Sequence, residues 1–518
     1  MKRILIHTIA LILVSSMNAQ NEFHVFPMDH ATNPGSVSGD GSINDPWDLQ
    51  TALLKKEITD GDTLWVHGGT YNGRYISELS ANNIRTKIVV SAYKEDKVVL
   101  NGNVNSSRKS VLQVKGKNVV YKNFEVTFIG EFSRNEANEN FKKVDGVDHV
   151  SGVNCVFLNL KIHNNPGVGF GSWKRTGGTI IAHCRIFNNG FMGLKRGRGP
   201  GMYVQNESDD NRVIENNVIF NNYYKGVEVW SAAKKANKSY VKNVILDDNI
   251  IFNNGLPSGK FTNNILVATD DRNGINIAKN ISIRRNVLYH NTNYKNNQVG
   301  GHGATLSLGN MSNVKMDKIT VVDNFILGRN NALRLNDTRE LIFTGNTVYA
   351  GYVHLYKSAE NRMETWVSDN NKYFTKNAKP FRFISKKDLT MKQWQQEKQL
   401  DQNSSWQSIR SFDLKPILHF SKNPARPNEY VVSLFNKQGN NVQVNMQKYG
   451  MAGWNYEIVN IATDKVLQEG RIAADGIIDV TIGTFNKTAE NFGVFKLIVN
   501  EPEKAKLPFF RRIFGWLF

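Results

Sequence analysis

The sequence predicts an all-β chain: a right-handed parallel β-helix solenoid with an N-terminal capping helix, then a C-terminal antiparallel β-sandwich. Three observations predict it. A short apolar–asparagine unit recurs between residues 123 and 351. Each unit reads as a strand, with β-branched and aromatic residues broken by Gly and Asn. Beyond residue 352 the unit fades, and period-two strands separated by turn residues replace it.

The first residues, "MKRILIHTIALILVSSMNAQ", place Lys2 and Arg3 before an apolar run from Ile4 to Val14. That pattern is a signal peptide over 1–19; the run is too short to span a bilayer, and no later stretch is long enough. The protein is therefore expected outside the cytoplasm, secreted, periplasmic or on the cell surface. Asp45 and Pro46 are expected to open a short helix with Leu49, Ala52 and Leu53 on its apolar stripe, and Thr63–Val66 to begin the first coil. A helix over the open end of a coil stack shields both its core and its edge strands.

The repeat itself runs through "NFEVTF", "LKIHNN", "CRIFNN", "NVIFNN", "NIIFNN", "NVLYHN", "NFILGRN" and "NTVYAG". Its central apolar residues are Val126, Ile162, Ile186, Ile219, Ile251, Leu288, Ile326 and Val348, at successive spacings of 36, 24, 33, 32, 37, 38 and 22. Irregular spacing over a short base period signals a solenoid whose coils carry insertions. Stacking then makes columns of equivalent residues. Asn217, Asn249, Asn286, Asn324 and Asn346 form one; Asn165, Asn189, Asn222, Asn254 and Asn291 form the other. Each amide both donates and accepts, and Asn tolerates left-handed backbone, so these are ladder residues.

The β-helix is expected over 22–375, a linker with one short helix around Trp394 over 376–412, the sandwich over 413–500, and a basic, aromatic tail over 501–518. Cys155 and Cys184 lie in strand-like segments and read as buried free thiols.

Formal charge is +19, or +17 without the leader's Lys2 and Arg3. For an exported monomer that excludes nucleic acid as the natural partner and favours an acidic polysaccharide, although a basic surface kept for solubility has the same sign. The insertions 195–211, 230–242, 256–280 and 291–318 follow the ladder unit, so they are expected to wall one side of a groove. Beside them a strand repeats: "GLKR", "GVEVW", "NILVATD", "ATLSLG" and "ALRLN". Its alternation points Lys195, Glu228, Ser307 and Arg334 outward.

The combination of "DPWDLQTALL", "GDTLWVHGGTYNG", Asn-rich coils and a late sandwich resembles the right-handed parallel β-helix superfamily, and within it the exported pectate-lyase-like and chondroitinase-B-like proteins. The resemblance covers about residues 22–375 at the level of fold. It implies lyases, hydrolases, epimerases or adhesive proteins, and no catalytic motif carries over residue by residue.

A uronate lyase must neutralise a carboxylate and take the C5 proton. Lys195, Lys225, Tyr203 and His302 are candidate bases, a lowered pKa being expected where cations crowd. Arg196, Arg198, Arg272 and Arg334 are candidates for binding the substrate carboxylate. Asp270 and Asp271 either cap a turn or hold Ca²⁺. His290 occupies a ladder slot. A hydrolase would instead pair Glu228 with Asp270 or Asp271, and a binding module needs only the basic groove.

Overall fold

The computed structural model describes residues 21–291, 303–310, 314–383, 387–412, 415–436, 441–482 and 492–502. The leader, His302 and residues 503–518 of the tail lie outside the described residues. The described residues up to 412 form one compact unit and those from 415 onward a second.

Three parallel sheets of 12 strands each build the first unit. Sheet A runs from Glu22–Val25 to Trp366–Asp369, sheet B from Gly69–Asn72 to Ser405–Ser408, and sheet C from Tyr75–Ser77 to Phe381–Phe383, with the antiparallel Asp388–Leu389 added at its end. The chain visits A, B and C in turn, which is the parallel β-helix the repeat predicts. The eight central apolar residues of the repeat stand in register, Val126 beside Ile162 and onward to Ile326 beside Val348. They are buried in one continuous core from Val25 to Leu400. Each such aliphatic side chain contributes about 1.5–3 kcal/mol by leaving water.

The corner from sheet A to sheet B is what the asparagines serve. From Asn123 onward it is two residues long in every coil. The first residue is left-handed, as at Asn216 (φ 54°) and Asp248 (φ 53°). The second turns inward: Phe124, Leu160 and Cys184 in the early coils, then the ladder from Asn217 to Asn346. Asn217 donates from its backbone N and its Nδ2 to Asn249 Oδ1, both at 3.0 Å, and also from Nδ2 to Ile181 O at 2.9 Å. The pattern repeats to Asn371, whose Nδ2 ends on buried Asp401 at 2.9 Å.

The second ladder lies at the corner from B to C. Asn165, Asn189, Asn222 and Asn254 bond as predicted, but the next rung is Asn264, not Asn291. Glycines stand opposite the earlier rungs. A Cβ on Gly201 or Gly226 would come within 2.6 or 2.7 Å of a ladder amide nitrogen. Asn264 takes the glycine position of the next coil, so its own side chain fills the slot. It donates to Tyr289 O at 2.8 Å, while Asn291 N donates to Asn253 Oδ1 at 3.0 Å. His290 is buried there, its Nε2 2.6 Å from Thr262 O.

Three boundaries differ from expectation. The first strand is Glu22–Val25, ahead of Thr63–Val66. The capping helix is Leu49–Ala52, with Asp48 rather than Asp45 as its cap. Trp47 packs flat on Phe23. The expected linker 376–412 completes the solenoid: Phe381–Phe383 and Ser405–Ser408 extend sheets C and B, and the helix Met391–Lys398 stacks Trp394 on Phe381 with ring centroids 4.2 Å apart. Cys155 and Cys184 are buried free thiols. No described helix is long and apolar enough to cross a membrane.

The second unit is the expected sandwich. A five-stranded antiparallel sheet and the pair Asn441–Asn445 with Ile477–Thr481 share one core, including Val432, Leu434, Val444, Ile458, Val480 and Leu497.

Candidate functional site

Sheet C is the floor of the candidate site, because the long loops flank it. The corner from A to B is tight, whereas the corners from B to C and from C to A vary in length. Each predicted insertion straddles or abuts a sheet C strand. Residues 195–211, for example, contain Met202–Val204. The extra residues therefore rise on both sides of sheet C, and the single wall expected from the sequence becomes two.

Register settles which residues face outward along this floor: Gln113, Asp148, Gly171, Tyr203, Glu228, Leu266, Ser307, Arg334, His354 and Arg382. Tyr203, not Lys195, is the neighbour of Glu228. Lys195 sits exposed at the tip of a hairpin between Phe191–Met192 and Gly197–Arg198. The floor is not open throughout. Leu266 is 2% and Ser307 4% exposed, and Ser307 Oγ donates to Gly309 O at 3.1 Å. Arg334 lies beyond them, three strands from Glu228, or about 14 Å at strand spacing.

Four expected residues do converge. Lys225 and Glu228 form a buried ion pair. Lys225 Nζ also lies 4.2 Å from the Tyr224 ring centroid, and the Arg196 guanidinium sits over that ring at 4.5 Å and donates to its hydroxyl. Tyr203 adjoins Glu228, accepts from Gln205 Nε2 at 3.3 Å, and packs its ring against Trp173 with centroids 5.1 Å apart. Burial, and then the Glu228 charge, raise the Tyr203 phenol above its ordinary pKa. That reverses the lowered pKa expected of a base: Tyr203 stays protonated and is suited to donate.

Asp148 extends the row. It accepts from Trp173 Nε1 at 2.5 Å and from Gln113 Nε2 at 3.4 Å. Gly171, between Asp148 and Tyr203, leaves room for the Trp173 indole. The hairpin carrying Lys195 and Arg198 is pinned by the loop before sheet C: Met192 N donates to Arg134 O at 2.7 Å, and Leu194 N to Glu136 Oε2 at 3.1 Å. Arg198 Nε lies 3.9 Å from the same carboxylate.

Asp270, Asp271 and Arg272 belong to the opposite wall. Asp270 pairs with Arg272 at 2.5 Å; Asp271 accepts from Gly274 N and Asn276 N at 2.6 and 2.9 Å. Asp270 Oδ1 is thus held by a guanidinium and both Asp271 oxygens by turn amides. Among the described residues no group of three or more His, Cys, Asp or Glu is arranged for a metal. Asp270 also lies four residues past Leu266, the partner of Glu228, or roughly 13 Å along the strand. The three-strand gap between the Asp148 and Glu228 backbones is likewise about 14 Å.

Asp148, Trp173, Gln113 and Tyr224 were not singled out by the sequence reading, yet a signal existed. "GVDH", "GFGS", "GMYV" and "GVEV" share a Gly, an inward residue, an outward residue and an inward residue. Aligning on the glycine puts Asp148, Tyr203 and Glu228 in one column; "GLKR" aligns too, and only its charged fourth residue, Arg196, sets it apart.

No family model matches this chain, and neither does any curated protein. Among solved structures it is similar to a pectate lyase, Pel9A, at 16% identity over 64% of this chain and 76% of that one, with a TM-score of 0.39. XylC in complex with xylose is similar at 11% identity over 92% and 100%, TM-score 0.44. An alginate lyase from Paenibacillus sp. is similar at 13% identity over 75% and 100%, TM-score 0.32. Likenesses at this level carry no argument about chemistry, and the architecture rests on the three parallel sheets.

Proposed function

We propose that this chain, a member of the pectate-lyase-like parallel β-helix superfamily, is an exported carbohydrate-active enzyme that cleaves a uronate-containing polysaccharide by β-elimination over sheet C. The observation that supports this reading is the buried Lys225–Glu228 pair beside a protonated Tyr203 that packs on Trp173. Elimination needs a cation for the substrate carboxylate, a base for the C5 proton and a donor for the departing oxygen. Lys225, with Arg196 behind Tyr224, supplies the cation. Glu228 takes the C5 proton, the electrons of that bond form the C4–C5 double bond, and the C4–O bond breaks. Tyr203 gives its proton to the leaving oxygen. Trp173 offers an apolar face to a sugar ring.

Incubation with alginate, pectate, chondroitin and hyaluronan, followed by absorbance of the unsaturated uronate, tests the proposal. A rising signal on one polymer is expected. New reducing ends without unsaturation would mean hydrolysis, retention without shortening would mean a binding module, and either overturns the elimination reading.

A further inference from the structure

At the B-to-C edge of the floor, outside the row just described, a cavity of about 450 Å³ opens beside Asp145. Its lining includes Arg74, Lys109, Lys142, Lys143, Phe141 and Asp145. The wall is built rather than incidental. The Arg74 guanidinium donates to the carbonyls of Gly102, Val104, Ser106 and Arg108 at 2.6–3.1 Å and so shapes the loop that carries Lys109. Asp145 N donates to Lys109 O at 2.8 Å, which seats Lys109 against the strand Asp145–His149. Phe141 packs on Phe191 of the hairpin, with ring centroids 4.7 Å apart. The three lysines are exposed and line the cavity with Asp145; Lys143 Nζ lies 3.6 Å from Asp145 Oδ1, while the Arg74 guanidinium is held by the loop carbonyls.

We propose that this cavity is a second sugar subsite, which takes the anionic ring of an acidic polysaccharide with its carboxylate among Lys109, Lys142 and Lys143. The inference rests on the acidic-glycan reading above and adds a place that selects the acidic unit. Asp145 lies three residues before Asp148, roughly 10 Å along the same strand. A polymer lying over Trp173 and Tyr203 reaches both places. Phe141 gives the ring an apolar face, and Ser106 at the rim gives a hydroxyl.

Asp145 makes the site sensitive to pH. Its Oδ1 accepts from Val168 N at 2.7 Å, and Lys143 Nζ is 3.6 Å away. Burial, against the pull of Lys143 and the Val168 amide and with the Asp148 charge adding to it, raises its carboxyl to about 6. Arg74, Lys109, Lys142, Lys143 and Asp148 are the charged groups around it. An incoming carboxylate favours the protonated form, which donates a hydrogen bond to it. The ionised form repels it. Affinity for a uronate therefore rises as pH falls through about 6.

The test is calorimetric titration of the full chain with saturated oligouronates, with the same oligomers after carboxyl reduction, and with sulfated oligosaccharides. Variants are Lys109→Ala/Lys142→Ala/Lys143→Ala, whose side chains are exposed, and Asp145→Asn. The triple variant is expected to weaken oligouronate binding at least about tenfold, the scale of lost charge-assisted bonds. Wild type is expected to bind more tightly at pH 5 than at pH 8, and Asp145→Asn to lose that dependence. Equal affinity for reduced oligomers, unchanged binding by the triple variant, or binding of sulfated oligomers alone would overturn the proposal. Unchanged KM in the triple variant of an active lyase would reject the subsite alone. Lysine-dependent binding without any unsaturated product would reject the elimination reading alone.

Discussion

Asn249→Ala isolates the force that holds the coils in register. Asn249 is fully buried in the first ladder. Its Oδ1 accepts from Asn217 N and Asn217 Nδ2, both at 3.0 Å, and its Nδ2 donates to Ile214 O and to Asn286 Oδ1, both at 2.9 Å. Alanine removes all four bonds and leaves the Asn217 N–H without its acceptor, away from water. At about 1 kcal/mol for each net hydrogen bond, and more for a stranded donor, the loss is about 4 kcal/mol. Asn216→Ala is the control, because it keeps the ladder and only asks a Cβ residue other than Asn to hold φ 54°. That costs about 1–2 kcal/mol. Urea unfolding of the full chain by circular dichroism measures both, and hydrogen exchange of peptides spanning 212–222 isolates the affected coil from the C-terminal unit. If Asn249→Ala costs less than Asn216→Ala, or leaves exchange at Asn217 unchanged, the ladder is not what aligns the coils.

Tyr203→Phe keeps the contact with Trp173 but deletes the proton donor, so kcat on the cleaved polymer is expected to fall about 100-fold or more with KM little changed. Gly226→Ala puts a Cβ 2.5 Å from Asn264 O and 2.6 Å from Ile251 Cγ2. Differential scanning calorimetry is expected to show a loss of about 1–3 kcal/mol or more, as for overpacked cores. Asp145, raised to about 6, binds its proton more readily folded than unfolded, so it adds stability as pH falls from 6 to 4. Asp145→Asn is expected to be more stable than wild type at pH 8 by about 3 kcal/mol and to lose that slope. His149, lowered by burial and then by Arg212 to about 3, has the opposite sign. It takes about 1.4 kcal/mol of stability per pH unit away as pH falls below 6.5, and His149→Phe is expected to abolish this in denaturant titrations from pH 7 to 4. Between pH 6 and 4 the two groups oppose each other, so only the single variants reveal either slope.

The sequence by itself determined the coil architecture, the ladder from Asn217 to Asn346 and the sandwich that follows. Stacking places one chemical demand on every coil, and a demand repeated that often leaves a pattern in residue types. The core register from Val126 to Val348 was legible for the same reason. What only the tertiary structure decided lies where a coil departs from its neighbours. Asn264 took the rung expected of Asn291, because an amide in the glycine position reaches the same slot from another backbone point. Tyr203 displaced Lys195 beside Glu228, because a hairpin inserted before the strand shifts outward parity without altering composition. The insertions split between two walls, because sheet C strands interrupt or adjoin them, as Met202–Val204 does. The site chemistry was hidden for a related reason. The raised pKa values of Tyr203 and Asp145 come first from burial, and for Tyr203 also from Glu228 on the next coil; burial is not a property of the local sequence.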